Sequence, residues 1–290
     1  MTATEQARIV IIGGGPAGYP GGIPGGELAD RMREQAVSFG ATVVTDEVAA
    51  VQPGGPPFTV TTTDRTYHAD AVIIATGARS RRLGLPSEDE YDGRGVCYCA
   101  ICDGPLFAGQ RVAVVGGGDA AVEEALALRR IASHVTLVHR RTELRAGAAL
   151  RASLLESDIE VLTPYVVDEV LGGDLGVTGV RVRDVDDGSV RDLDVTGLFV
   201  AIGHEPASGL FEAYLKTDGH GFLWTESGTT ATSVPGVFAA GDVADPRYRQ
   251  AITAAASGCA AAIDAERWLL AHREQPSSPM HAEEEPHAGW

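Results

Sequence analysis

Residues 110–131 read QRVAVVGGGDAAVEEALALRRI. A short apolar run ends in glycines and a helical pattern follows, which predicts a strand, a tight turn and a helix. The turn carries Gly116-x-Gly118-x-x-Ala121, with Asp119 inside the motif, and this is a variant of the dinucleotide-binding fingerprint. Its glycines allow the turn and let a pyrophosphate approach the backbone. The stretch therefore predicts an α/β unit of Rossmann type.

The next strand, HVTLVHRR at 134–141, ends in basic residues. An acidic residue at such a strand end would bind a ribose 2′-hydroxyl, but a 2′-phosphate suits arginines. This chain has His139, Arg140, Arg141 and Arg145 there, although its net charge is −17. The cluster favours NADPH as the cofactor of this unit, and a solvated basic patch is the alternative.

A second glycine loop lies near the N-terminus. RIVIIGGG at 8–15 predicts a buried strand that leads into Gly13-x-Gly15-x-x-Gly18, with Pro16 and Ala17 inside the motif. Alone this signal is weak, and a tight strand–helix turn is the alternative. The two loops lie about a hundred residues apart, and VIIATG (72–77) and FVAIG (199–203) flank the later one. This arrangement predicts two nucleotide-binding domains, one inserted in the other.

The remaining pattern fills out the α/β prediction. A helix is expected at 26–40 with Gly40 as its C-cap, and a long alanine-rich helix from about Arg249 to His272. The tail 273–290 is expected to be disordered. Further strands are expected at 42–51, 58–77, 176–185, 195–203 and 234–243.

Three of the four cysteines lie in CYCAICDG at 97–104. Cys99-Ala-Ile-Cys102 predicts a redox-active pair, because this spacing lowers the pKa of one thiol. Asp103 could carry a proton to or from that thiolate. Two packed thiols are the alternative, Cys97 could exchange with the pair, and Cys259 is expected to be buried. Zinc is not expected, since no second ligand pair has the right spacing.

The composition describes a globular protein, with 44% apolar and 22% charged residues. The strong negative charge argues against nucleic-acid binding. We see no apolar run long enough to span a bilayer and no secretory leader. We therefore expect a cytoplasmic location and no membrane association.

Several motifs together carry a resemblance to a family. They are CAICDG, VVGGGDAAVEEAL, VTLVHRRTELRA, VTGLFVAIGHEP, TSVPGVFAAGDV and YRQAITAAASGCAAAIDAERWL. In this order, from about Gly22 to Arg273, the chain resembles the bacterial low-molecular-weight thioredoxin reductases.

The resemblance implies an FAD domain at 1–77 and 204–272, an inserted NADPH domain at 78–203, and a homodimer whose domains rotate. Electrons would pass from NADPH through FAD to a Cys99–Cys102 disulfide and on to a thioredoxin. Cys102 would face the flavin, Cys99 would attack the substrate, and Asp103 would be the acid. The FAD contacts would be Thr76, Gly77, Gly241, Asp242, Arg249, Gln250 and Ala251.

The chain departs from this family after Tyr19. The family continues from this loop into a helix and a strand with an acidic end, whereas here PGGIPGGELADRM follows at once. Prolines and glycines oppose a helix there. Helix 26–39 could substitute, with Asp46 or Glu47 reaching the ribose. Otherwise FAD binding is weakened and the sheet has an unpaired edge.

Alternative functions follow from the same motifs. One is an NADPH-binding remnant without flavin or reductase activity. Another is the flavoprotein arm of an alkyl hydroperoxide reductase, although no thioredoxin-like pair is expected before Arg8. A third is a flavin dithiol oxidase, against which the arginines at 140, 141 and 145 argue.

Overall fold

The computed structural model describes residues 3–12, 25–52 and 54–272. The chain forms two compact units. We call the described residues of 1–78 and 206–272 the split unit, and residues 79–205 the inserted unit. The chain leaves the split unit within one short strand, Ala78–Ser80, and returns within another, His204–Pro206.

The described residues form six α-helices and fifteen strands. The helices are α1 (Gly25–Ser38), α2 (Pro86–Glu90), α3 (Ala100–Asp103), α4 (Asp119–Leu128), α5 (Ala148–Leu155) and α6 (Ala251–His272). The strands are β1 (Ala3–Ile12), β2 (Val48–Gln52), β3 (Phe58–Thr62), β4 (Arg65–Ile74), β5 (Ala78–Ser80), β6 (Val96–Cys97), β7 (Arg111–Val115), β8 (His134–Val138), β9 (Glu160–Leu162), β10 (Tyr165–Gly173), β11 (Gly176–Asp184), β12 (Val190–Leu193), β13 (Gly197–Val200), β14 (His204–Pro206) and β15 (Val237–Ala239).

The sheet of the split unit is organised around β4. Strand β1 pairs with β4 in parallel along its whole length, from Ala3 opposite Arg65 to Ile12 opposite Ile74. On the other side of β4 lie β3, antiparallel, and β15, parallel, with β2 beyond β3. The apolar run at 71–74, where every residue is buried, suits the central place of this end of β4, because a parallel strand covered on both faces is apolar on both. Helix α6 packs on one face, with Ala261, Ala265 and Leu269 against the sheet.

Helix α1 and one edge of the sheet are poorly covered. No described strand pairs with the second edge of β1, and Ile11 is 60% exposed. Every described side chain of α1 is exposed or half-exposed, and Phe39 beyond its end is 86% exposed. The helix itself ends as predicted, since Gly40 has a φ of 91° and Ala41 N–H donates to Ala36 O over 3.0 Å.

The strand expected at 42–51 begins only at Val48, so the prediction for 42–47 was wrong. The side chain of Asp46 accepts from its neighbour's backbone, Glu47 N–H, at 2.7 Å. It also bonds the hydroxyl of Thr62 at the end of β3. Local side-chain bonds of this kind compete with strand pairing.

The inserted unit has a parallel sheet in the order β6-β13-β7-β8-β9. One face packs on α4, where Ala121, Val122, Ala125 and Leu128 are all fully buried. Strands β10 and β11 cover the other face with buried valines, and β12 pairs with β11. Parallel strands with both faces covered form a Rossmann-type sheet, so the predicted α/β class is confirmed.

The strand–turn–helix prediction for 110–131 is confirmed by β7 and α4, and the final helix is confirmed by α6. In the described part of the chain, no helix combines the length and the apolar character needed to cross a bilayer. The tail 273–290 lies outside the described residues.

Candidate active site

The two cysteines of the C-x-x-C sequence form a disulfide on the short helix α3. Cys99 lies at the N-cap and its sulfur accepts from Cys102 N–H over 3.1 Å. Cys102 is exposed and Cys99 is half-buried. Between them Ile101 is 75% exposed. An exchange partner can therefore reach the pair from solvent in the inserted unit.

Asp103 follows Cys102 directly in the chain and is half-buried. Burial raises the pKa of its carboxyl, and a hydrogen bond from the Cys97 thiol opposes that rise. Burial and the Asp103 charge together raise the pKa of Cys97 to about 12. Cys97 is therefore a protonated donor to the carboxyl and not a third nucleophile. The expectation of a buried Cys259 was wrong, because its thiol is exposed on α6.

The glycine loop of the inserted unit lines a cavity of about 1430 Å³. A Cβ on Gly116 would lie 2.4 Å from Ala201 O, and one on Gly117 would lie 2.2 Å from the His139 ring. These positions therefore accept only glycine. Gly118 caps α4 without any side-chain bond, so the free N–H groups of the first turn can bind phosphate. The loop, the free helix end and the cavity size all suit a dinucleotide.

The predicted NADPH residues divide into two groups. Those that line the cavity are Gly116, Gly118, Asp119, His139, Arg140 and Arg145. Ala121 lies in the core, where it packs against Gly116, and Arg141 is not among the lining residues. His139 is buried and its pKa is lowered mainly by that burial. Its ring supports Gly117, so the side chains free to meet a 2′-phosphate are Arg140 and Arg145.

Sequence reasoning missed several other residues that line this cavity. They are Arg79, Arg82, Tyr98 and Tyr165. The Tyr98 hydroxyl donates to the fully buried carboxylate of Glu88 over 3.1 Å, and Arg82 lies over the Tyr98 ring. The run GARSRRLG at 77–84 was the available signal, because three arginines follow a strand end there.

The flavin-side residues lie in the split unit. Asp242 has a buried Oδ1 without a hydrogen-bond partner among the described atoms, and burial, then Asp245, raises its pKa. Gly241 has a φ of 72° and lines a small cavity of about 220 Å³. An unsatisfied buried carboxylate oxygen requires a donor, and a ribityl hydroxyl is one. The residues present therefore fit this part of FAD.

The segment expected at the flavin ring is held in a strained turn. The carboxylate of Asp245 accepts from the backbone N–H groups of Arg247, Tyr248 and Arg249 at 2.8–2.9 Å. Arg249 has a φ of 47°, and such strain in a non-glycine residue is concentrated at functional sites. Gln250 and Ala251 follow at the start of α6.

Thr76 and Gly77 follow the end of β4. The Thr76 hydroxyl donates to Ala207 O over 2.7 Å, and Gly77 O accepts from Ala207 N–H. The first glycine loop, with Gly13, Gly15, Pro16, Ala17 and Gly18, lies outside the described residues.

Asp46 and Glu47, the acids considered for the FAD ribose, lie away from the end of β1. Thr62 and Thr63 anchor Asp46 and Glu47 beside the start of β4. Residue 13 follows Ile12, which pairs with the other end of β4, at Ile74. Ten strand residues span about 30 Å, so both acids lie far from Ile12, the last described residue before the first loop.

Comparisons with known proteins identify the family of the chain. Residues 25–258 match the family described as Pyridine nucleotide-disulphide oxidoreductase. A thioredoxin reductase of Coxiella burnetii is 43% identical over 314 positions, covering 93% of this chain and 98% of that protein. The alignment is longer than this chain, so that relative has segments without a counterpart here. One of Mycolicibacterium smegmatis is 52% identical, covering 87% and 82%.

A solved structure gives the same result for the fold. Thioredoxin reductase from Giardia duodenalis superimposes with a TM-score of 0.84 at 35% identity, covering 93% of this chain and 99% of that one.

Proposed function

Because this chain belongs to the pyridine nucleotide-disulphide oxidoreductase family, we propose that it is an NADPH-dependent thioredoxin-disulfide reductase. The observation that carries the proposal is the accessible Cys99–Cys102 disulfide in the same unit as a dinucleotide cavity. The relatives' shared name supports a thioredoxin as substrate. A cytoplasmic homodimer is part of the proposal and rests on the resemblance.

FAD, when held by residues such as Gly241 and Asp242, would supply the two-electron chemistry that links the nicotinamide to the disulfide. The chain's own residues do the rest. Once reduced, Cys99 attacks the substrate disulfide and forms a mixed disulfide. Cys102 then attacks Cys99, which restores the Cys99–Cys102 bond and leaves the substrate as a dithiol. Asp103 donates the proton that a departing thiolate needs, and the Cys97 thiol holds its carboxyl in place.

Serine at either sulfur tests this function. We expect Cys99→Ser and Cys102→Ser to lower thioredoxin-dependent NADPH oxidation by roughly a thousandfold, as when a nucleophile is removed. Titration of intrinsic fluorescence should show NADPH binding unchanged in both. Cys259→Ser is the matched control and should keep full turnover. Unchanged turnover in either pair variant contradicts the proposal.

The pH dependence tests the role of Asp103. Burial raises its pKa, so the carboxyl keeps its proton to a higher pH than an exposed aspartate. The acid-dependent step should slow as pH rises through that value. In the pH–rate profile, Asp103→Asn should lack this decline at high pH, which we call the acid limb, and should be about a hundredfold slower.

Cys97→Val is the companion variant. It removes the bond that lowers the Asp103 pKa, so the acid limb should move to higher pH. An acid limb that persists in Asp103→Asn would assign it to another group.

A further inference from the structure

The segment 139–147, between β8 and α5, brings the arginines to the cavity, and we call it the arginine loop. Arg140 and Arg145 line the cavity and are exposed. Neither guanidinium makes an ion pair with any residue in the described ranges. Both are therefore available to a ligand, and what they can bind depends on where the backbone of the loop holds them.

The backbone fixes one part of the arginine loop to the glycine loop. Arg145 N–H donates to Gly117 O over 2.7 Å, and Ala146 N–H donates to the same oxygen over 3.2 Å. Within the loop, His139 Nε2 lies 3.2 Å from Glu143 O. These contacts bring the Arg145 backbone beside the phosphate-binding turn.

One side chain adds to this attachment. Gly147 N–H donates to Asp119 Oδ1 over 2.7 Å, and Asp119 is the first residue of α4. The carboxylate therefore joins the helix that faces the phosphates to the loop that carries the arginines. Gly117 O accepts its bonds through the backbone alone. The bond to Asp119 Oδ1 involves a side chain, so a substitution at Asp119 removes it without changing a backbone group.

Asp119 is otherwise poorly placed. It lines a cavity whose other charged side chains are mostly arginines, and its negative charge opposes a bound phosphate. The helix dipole favours an acid at this end of α4, but the same dipole also favours the phosphate. The bond to Gly147 gives the carboxylate a role that offsets this repulsion.

We propose that Asp119 is a positioning residue for cofactor choice, which holds the arginine loop so that Arg145 meets the 2′-phosphate of NADPH. The proposal rests on the proposed function, since it takes NADPH as the cofactor of the inserted unit. It predicts that Asp119 acts on the preference for NADPH over NADH, because NADH lacks the group that the loop reads.

The test is fluorescence titration of the full-length protein with NADPH and with NADH, which requires no turnover. Asp119→Ala should weaken NADPH binding about tenfold, the effect of one lost charge-assisted hydrogen bond, and leave NADH binding nearly unchanged. Asp119→Asn keeps an acceptor oxygen without the charge. It should keep the wild-type preference and bind both nucleotides at least as well.

A double-mutant cycle links Asp119 to the arginine. In an Arg145→Ala background, Asp119→Ala should have little further effect, because both changes remove one interaction. Circular dichroism and thermal melts confirm that each variant is folded. If Asp119→Ala weakens both nucleotides equally, if Asp119→Asn loses the preference too, or if the two effects add, the positioning role is wrong. A wild-type protein without a preference for NADPH instead overturns the proposed cofactor, and the positioning role with it.

Discussion

The inserted unit and the split unit differ in how much of a nucleotide site their described residues bring together. In the inserted unit, the glycine loop, the free end of α4 and two arginines line one cavity. In the split unit, Asp242 and Gly241 suit one part of FAD. Asp46 and Glu47 are the acids considered for the FAD ribose. They lie beside the start of β4, whereas β1 ends beside the other end of β4.

This difference indicates that the residues that form the sheet are not the ones that determine cofactor affinity. Strand β4 pairs on both sides, with β1, β3 and β15, so the sheet of the split unit forms around it. A ribose acid contributes little to that sheet, yet a dinucleotide site needs one at the same sheet edge as the phosphate loop. We therefore expect this chain to keep the fold of its family while it holds FAD weakly.

The largest effect expected from the difference between the two units is on flavin content. We expect the purified protein to contain much less than one FAD per chain, with an affinity weaker by roughly a hundredfold or more, because the sequence after Tyr19 lacks the helical and acidic pattern that the resemblance implies there. Absorbance spectra measure the flavin. NADPH titration of the same sample is the internal control and should show a full site.

Added FAD should then raise thioredoxin-dependent turnover at least about tenfold, following a saturation curve. A yellow protein with one flavin per chain would show that the split unit has a complete site. A sample that binds NADPH but stays inactive with saturating FAD would favour the NADPH-binding remnant.

Asp242 allows a smaller and more local test. Asp242→Ala removes the buried acceptor and should weaken FAD binding by roughly tenfold to a hundredfold, as for loss of a hydrogen bond to a charged group. Asp242→Asn keeps one acceptor oxygen and should lose less. NADPH binding should not change in either variant. Equal losses of both cofactors would mean that the substitution disturbs the fold rather than the flavin site.

Most of the fold could be predicted from the sequence, because apolar runs ending in glycine determine strand and turn together. β7, β8 and α4 follow their patterns closely. The failure at 42–47 had a local cause. Val43 and Val44 suit a strand, but the Asp46 side chain bonds nearby backbone and threonine groups. Propensity does not report such competition.

The site could be predicted only where a sequence motif assigns a role to each of its side chains. His139 was assigned to the cofactor from its position beside arginines, yet its ring is buried against Gly117. The hydrogen bond between Cys97 and Asp103 depends on how β6 and α3 meet, and no spacing rule contains that. The contact between Arg82 and Tyr98, which both line the cavity, likewise comes from packing between segments that lie outside the glycine motif.

Arg145 and Arg141 provide a matched pair for the inserted unit. Arg145→Ala should reduce NADPH affinity about tenfold and leave NADH affinity nearly unchanged, because it removes a charged donor to the 2′-phosphate. Arg141→Ala removes the same charge from the chain but does not line the cavity, so it should change either affinity less than about twofold. Similar losses in both variants would indicate that the overall positive field, and not a contact, selects NADPH.

The smallest expected effect concerns Phe39, beyond the end of α1. Its side chain is 86% exposed, so Phe39→Ala should change the free energy of unfolding by less than about 0.5 kcal/mol. Phe211 is the control from the same unit; it is 2% exposed, and its alanine variant should cost about 3–5 kcal/mol. Urea unfolding monitored by circular dichroism measures both. A cost above about 1 kcal/mol at Phe39 would mean that α1 is covered in solution. If that cost rose with protein concentration, the cover would be a second copy of the chain, and the split unit would be completed by association rather than by its own fold.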